Sequence, residues 1–205
     1  MNARRLVSIA VFTALITVGG LVSVPIPFAQ VELSFQTLFV IMAGMLLGGR
    51  DGALAVLVYI VMGLLGLPVV TQGGGGMYVF KPSFGYLIGF PIGAFLSGAL
   101  CSRRKGLSRG RAFVYALIGM IPVYAIGVTY QTLILYYYVG SAWAAVIGGL
   151  PAIAVLALKD AVLLGLVSSL YPALRRAVRG RRGKEKRGAA SVATPDAAVK
   201  LPSAQ

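Results

Sequence analysis

The chain has 205 residues, of which 58% are hydrophobic and only 12% are charged, and its mean hydropathy is +0.87. A soluble domain carries roughly 25% charged residues, so this chain is too apolar to cover itself with a polar surface. Its net charge of +14 does not indicate a nucleic-acid partner, because the bases lie in short clusters between long apolar runs, as in loops that flank membrane spans.

The residue types exclude several kinds of site. There is no histidine, and Cys101 is the single cysteine, so an internal disulfide and zinc or iron sites built on histidine or cysteine clusters are excluded. A hydrolase would need a base such as histidine, paired carboxylates or a metal. Of the five acids, only Asp160 lies within an apolar run. We therefore predict no catalytic activity, no cofactor and no metal.

Six apolar runs have lengths near the roughly 17–25 residues that a spanning helix needs. The first is interpreted as a helix and not as a cleaved signal peptide, because five more runs follow and no small-residue cleavage site ends it. The second and third are short, and a tight turn over Gly48–Gly52 is predicted to join them. The predicted spans are Leu6–Val24, Ser34–Gly49, Gly52–Leu67, Ser83–Cys101, Arg111–Tyr138 and Ala144–Leu174.

These runs predict an all-α fold, a polytopic bundle of six transmembrane helices over residues 1–175. With six spans, nearly all basic clusters fall on one side, and the positive-inside rule makes that side cytoplasmic, with both chain termini. The opposite loops contain only Lys81 as a base. Residues 176–205 are basic and poor in apolar residues, so we predict a disordered cytoplasmic tail beside the lipid headgroups.

Two adjacent charges, Lys159 and Asp160, lie in the middle of the sixth run. A charge at the bilayer centre costs at least ~2.5–3.5 kcal/mol on insertion scales, so such residues need partners. Neighbours in a helix point about 100° apart, which makes a simple pair between these two a poor explanation. We expect each to bind a partner on another helix, on a loop or on a ligand; a structural ion pair is the alternative.

Two segments between the spans carry polar groups or glycines. Thr71–Tyr78 contains four consecutive glycines, which let a backbone approach a ligand closely. The run lacks the Gly-Lys-Ser/Thr ending of a phosphate-binding loop, so a ligand-lining lid is predicted, with a passive linker as the alternative. The outer segment Val24–Thr37 is predicted to re-enter the membrane at Ser34–Thr37, where Ser34, Gln36 and Thr37 offer uncharged hydrogen-bonding groups. An ordinary loop and helix cap is the alternative there.

Small residues recur at four-residue spacing on three predicted helices. Such ridges let helices approach closely. We attribute Gly44 and Gly48, and the set Gly85, Gly89 and Gly93, to packing within the bundle. Ala10 and Ala14 on the first helix are a candidate docking ridge for another membrane protein, with internal packing as the alternative.

Three separated motifs together resemble one family. They are Val31–Gly48, then Leu64–Val69 followed by Gly73–Gly76, and then Lys81–Pro91. In this order they resemble the BioY family, the biotin-binding S components of energy-coupling factor (ECF) transporters. The resemblance covers roughly residues 6–174. Where the family usually has Pro-Ile-Thr this chain has Glu32-Leu33-Ser34, and Leu156 stands where many members have an acid.

The resemblance implies a biotin-binding subunit in the bacterial plasma membrane, driven by a transmembrane coupling protein and cytoplasmic ATPases. Lys159 would bind the biotin carboxylate or the ureido carbonyl, and Asp160 would accept ureido N–H groups. Ala10 and Ala14 would face the coupling protein. The implied substrate-binding residues are Ser34, Phe35, Gln36, Thr37, Gly75, Tyr78, Tyr86, Trp143, Lys159 and Asp160. The alternatives are an S component for another vitamin, an ion-coupled small-molecule carrier and a structural membrane subunit.

Overall fold

The computed structural model describes residues 3–24, 32–70, 73–103, 106–139 and 153–176. Six α-helices lie in these ranges: α1 Ala3–Leu21, α2 Gln36–Leu47, α3 Gly49–Leu64, α4 Phe84–Ser102, α5 Arg109–Val139 and α6 Ile153–Arg176. A 3-10 turn, Gly76–Phe80, precedes α4. The protein is therefore mostly helical, as predicted.

Four of these helices, α1, α4, α5 and α6, are long and apolar enough to cross a membrane. The other two are shorter than predicted, since α2 has 12 residues and α3 has 16. The structure thus confirms membrane-spanning helices, while the complete count of six spans stays a prediction. The predicted domain boundary at residue 175 and the tail to residue 205 also stay predictions, because residues 177–205 lie outside the described ranges.

The connection between α2 and α3 is tighter than the predicted five-residue turn. Gly48 is the one residue between the two helices, and its φ of 95° is a left-handed conformation that glycine adopts without steric cost. Its N–H donates to Gly44 O at 2.9 Å, and its carbonyl accepts from Gly52 N at 2.9 Å. We call this end of the bundle the Gly48 end.

A short strand pair, absent from the all-α prediction, lies at the opposite end. β1 (Ser23–Val24) pairs antiparallel with β2 (Leu33–Ser34). The Ser23 hydroxyl donates to Glu32 Oε2 at 2.5 Å. Ser34 therefore belongs to a strand and not to the start of the second helix. We call this the hairpin end; it also holds the 3-10 turn and the first turns of α2 and α4.

Helix α4 packs against α2, α3 and α5, and glycine allows the close approach. A Cβ on Gly93 would lie 2.5 Å from Gly119 O, and one on Gly89 would lie 2.6 Å from the Cα of Val123. A Cβ on Gly44 would overlap the Ala94 backbone. The predicted internal packing of the α2 and α4 glycines is therefore confirmed, except that Gly48 forms the turn instead.

Candidate ligand-binding site

A cleft opens at the hairpin end, between α2, α4, α5, α6 and the 3-10 turn. Its space is about 620 Å³ when the open mouth is included. Its apolar lining consists of Leu87, Phe90, Val123 and Leu156. Its polar lining consists of Glu32, Ser34, Gln36, Thr37, Tyr78, Ser83, Tyr86, Tyr124, Lys159 and Asp160. A mostly formed concavity with apolar walls and a few convergent polar groups is typical of small-molecule sites.

Lys159 and Asp160 are paired, which corrects the expectation that adjacent residues would not meet. Lys159 Nζ lies 2.7 Å from Asp160 Oδ1, and the two side chains are 16% and 6% exposed. The pair forms because the flexible lysine side chain bends and brings its ammonium back to the carboxylate. The directions of the two Cβ atoms alone do not predict this contact. Lys159 Nζ also donates to Ser34 O at 2.6 Å.

The two oxygens of Asp160 differ in their partners. Tyr124 OH, on α5, donates to Oδ2 at 2.7 Å. Oδ1 is buried and makes no hydrogen bond with the described residues, although the Lys159 ammonium is close. Lys159 and Asp160 Oδ1 are thus close enough to form an ion pair, but the angles at this contact are not those of a hydrogen bond. Because an ionised carboxylate oxygen accepts hydrogen bonds, Oδ1 can receive an N–H group from a ligand in the cleft.

Aromatic rings form one wall of the cleft. Tyr86 on α4 and Tyr124 on α5 meet edge to face, with ring centroids 6.1 Å apart. The Tyr86 hydroxyl donates to Gln131 Oε1 at 3.0 Å, which fixes the ring. Phe90 follows Tyr86 by one helical turn on the same face and lines the cleft as well. This wall offers an apolar surface beside the polar Asp160.

Tyr78 lines the cleft from the 3-10 turn. Its side chain is 6% exposed, and its hydroxyl lies 3.2 Å from Ser83 Oγ. Burial raises the pKa of the Tyr78 phenol, and the nearby Glu32 carboxylate raises it further, while the Ser83 hydrogen bond lowers it. The phenol therefore stays protonated and neutral near pH 7 and can donate a hydrogen bond.

The structure brings most of the implied substrate-binding residues together. Seven of them line the cleft: Ser34, Gln36, Thr37, Tyr78, Tyr86, Lys159 and Asp160. Phe35 does not line it and is 43% exposed. Gly75 does not line it either, since its N–H donates to Gly63 O at 2.8 Å, which holds that part of the glycine run against α3. Trp143 lies outside the described residues.

Several lining residues were not predicted from the sequence: Glu32, Ser83, Leu87, Phe90, Val123, Tyr124 and Leu156. For two of them, the sequence spacing contained a signal that could have predicted the position. Leu156 precedes Lys159 by three residues, and Phe90 follows Tyr86 by four, so helical spacing puts each on the same face as a candidate residue. Tyr124 carried no such signal, because its partner Asp160 is on a different helix.

The ridge on α1 lies on an outward face. Ala10 and Ala14 are exposed, whereas Ile9, Thr13 and Ile16 are buried against the rest of the bundle. The Thr13 hydroxyl donates to Ala55 O on α3 at 3.0 Å. Within the described residues, the side of α1 that packs internally is thus not the side that carries the two alanines.

Fold and cleft together define a multi-pass membrane protein with a polar-lined small-molecule cleft at one end of its helices. Residues 1–180 match the profile of the BioY family, and the chain therefore belongs to the BioY family.

Relatives and a solved structure agree with this membership. The chain is 46% identical over 129 residues to the probable biotin transporter BioY of Lysinibacillus sphaericus, covering 63% of this chain and 65% of the relative, just under two thirds of its length. It is 37% identical to the probable biotin transporter BioY of Pyrococcus horikoshii, covering 75% and 87% of the two chains. The crystal structure of the S-component for biotin from an ECF-type ABC transporter matches with a TM-score of 0.66 and 27% identity, covering 83% and 94%.

Proposed function

We propose that this chain is the membrane-embedded, biotin-binding subunit of an ECF transporter and mediates biotin uptake. The similar proteins named above carry biotin in their names, and membership of the family supports the same ligand here. The observation that carries the proposal is the buried Lys159–Asp160 pair that lines the cleft, in which Asp160 Oδ1 makes no hydrogen bond with the described residues.

Biotin has the chemistry that this cleft can bind. Its ureido ring offers two N–H donors and a carbonyl acceptor, and its thiophane ring and acyl chain are apolar. Asp160 would accept a ureido N–H, and the Lys159 ammonium would donate to the ureido carbonyl, because a charged partner strengthens each hydrogen bond. Tyr86 and Phe90 would cover the apolar rings.

The test is equilibrium binding of radiolabelled biotin to the purified chain. Asp160→Asn and Lys159→Gln should each weaken binding at least ~30-fold, because loss of one partner of a buried charged pair costs about 2 kcal/mol or more. A matched control is Asp51→Asn, which breaks a second acid–base pair, Arg5–Asp51 at the Gly48 end, where Nη2 and Oδ1 are 2.5 Å apart. Near-normal affinity of both cleft variants would assign the pair a structural role.

We further infer six spans, with both termini and the Gly48 end on the cytoplasmic side. The positive-inside rule supports this orientation, because Arg50, Arg103 and Arg109 lie at the Gly48 end while Lys81 lies near the hairpin end. The cleft would then open to the cell exterior, as uptake requires.

The energy for uptake would come from other subunits. The sequence has no nucleotide-binding motif, so we propose that an ECF transmembrane coupling protein and its ATPases bind to this chain. The exposed position of Ala10 and Ala14 on α1 supports this ridge as the docking face, since small residues allow close helix contact in lipid.

A further inference from the structure

We propose that Lys81 binds the carboxylate of the ligand at the mouth of the cleft, while Lys159 serves the ureido end. This inference rests on the proposed binding of biotin and adds the orientation of the ligand and the residue that recognises its acid group. Lys81 was not among the predicted site residues.

Basic residues are scarce at the hairpin end. Between residues 6 and 174, every base except Lys81 and Lys159 falls at the α2–α3 turn or in the connection from α4 to the first turn of α5. The described bases of those segments lie at the Gly48 end. A ligand carboxylate in the cleft therefore has two candidate ammonium groups in the sequence.

Lys159 is poorly suited to the carboxylate. Its ammonium contacts Asp160 Oδ1 at 2.7 Å and Ser34 O at 2.6 Å, and its side chain is only 16% exposed. A second carboxylate there would lie close to the buried Asp160, and two adjacent anions repel each other strongly where water is excluded. A neutral ureido group that both donates and accepts avoids this repulsion.

The Lys81 ammonium lies beside Tyr78, which lines the cleft. Its Nζ lies 5.4 Å from the centroid of the Tyr78 ring, and Tyr78 and Ser83 both line the cleft. Its backbone is fixed on both sides, since Lys81 N donates to Tyr78 O at 3.0 Å and Phe84 N donates to Lys81 O at 3.0 Å. An ammonium has three donors, so Lys81 can keep its present contacts and still donate to a ligand.

The charges of the lining favour such a cation beside an anionic ligand. The lining itself contains two carboxylates, Glu32 and Asp160, and one ammonium, Lys159. A ligand carboxylate that enters the cleft therefore encounters two anionic side chains and one cationic side chain. Lys81 beside Tyr78 supplies the attraction that offsets this at the rim, where the acyl chain of the ligand would end.

The experiment compares biotin with biotinamide, in which a neutral carboxamide replaces the carboxylate. Both are titrated into purified wild-type protein and into Lys81→Gln and Lys81→Arg. Wild type should bind biotin about tenfold more tightly than the amide, the effect of one charge-assisted hydrogen bond at a partly exposed site. Lys81→Gln should bring biotin to the level of the amide and leave the amide within about twofold, and Lys81→Arg should keep most of the preference.

Three results would overturn the assignment. Equal affinity of the two ligands for wild type would show that the carboxylate is not recognised. A preference for biotin that persists in Lys81→Gln would place the carboxylate elsewhere, and an equal loss of both ligands would mean that Lys81 only supports the Tyr78 turn. Arg50→Gln, at the Gly48 end, is the control and should change neither affinity. Failure of wild type to bind either ligand would instead refute the proposed function.

Discussion

At the scale of single residues, Tyr124 completes the surroundings of Asp160. Its hydroxyl donates to Oδ2 at 2.7 Å and its ring meets Tyr86 edge to face. A buried carboxylate is costly unless its oxygens are satisfied. Tyr124 therefore satisfies Oδ2 and leaves Oδ1 beside the Lys159 ammonium.

Tyr124→Phe tests this role, because it removes the hydroxyl and keeps the ring. A hydrogen bond to a charged group contributes about 1.5–3 kcal/mol, so biotin affinity should fall roughly 10- to 100-fold in an equilibrium binding assay. The matched control on the same helix is Tyr136→Phe, whose side chain is 51% exposed and which should bind normally. Unchanged affinity of Tyr124→Phe would show that the hydroxyl does not position Asp160.

At the scale of elements, α1 has one buried face and one exposed face. Ile9, Thr13 and Ile16 pack into the bundle, while Ala10 and Ala14 lie on the exposed side. In lipid, helices associate through close packing of small side chains because hydrophobic burial provides little drive. The exposed alanines thus suit contact with another helix.

Replacing Ala10 and Ala14 together by Trp should abolish assembly with the coupling protein and should leave biotin binding by the isolated chain intact. Bulky rings would separate the helix backbones, which small residues keep close. Co-purification with the coupling protein and biotin titration are the two measurements. Val162→Trp with Leu166→Trp is the control, since these exposed α6 residues share the four-residue spacing. An assembled Ala10/Ala14 variant would refute the docking face.

At the scale of the whole molecule, charge separates the two ends of the bundle. Arg50 lies at the Gly48 end and is exposed, while Met77, which is 76% exposed, lies on the 3-10 turn at the hairpin end. If the basic end is cytoplasmic, then these two positions face opposite sides of the membrane.

Cysteine labelling in intact cells checks this orientation. A membrane-impermeant maleimide should label Met77→Cys directly and should label Arg50→Cys and Arg176→Cys only after the membrane is opened. The wild-type chain serves as background, because its single cysteine, Cys101, is buried. Labelling of Arg50→Cys from outside would reverse the orientation and close the cleft to external biotin.

The sequence by itself determined the membrane class and the approximate spans. The predicted span Ser83–Cys101 differs from α4, Phe84–Ser102, by one residue at each end. This agreement has a local cause, because a helix in lipid must satisfy its backbone within its own segment and so follows the apolar run. Small-residue spacing likewise predicted the internal contacts of Gly89 and Gly93, since four-residue repeats define a helix face.

Only the tertiary structure decided which side chains meet in the cleft. Spacing along one chain says nothing about how far a neighbouring helix is rotated, so Tyr124 was missed as the partner of Asp160. For the same reason, exposed Phe35 was predicted to line the cleft, whereas Phe90, which does line it, was not. The Lys159–Asp160 pair depends on the bend of a long side chain, which the 100° between adjacent Cβ directions does not fix. Contacts between helices are thus set by packing, which no single segment encodes.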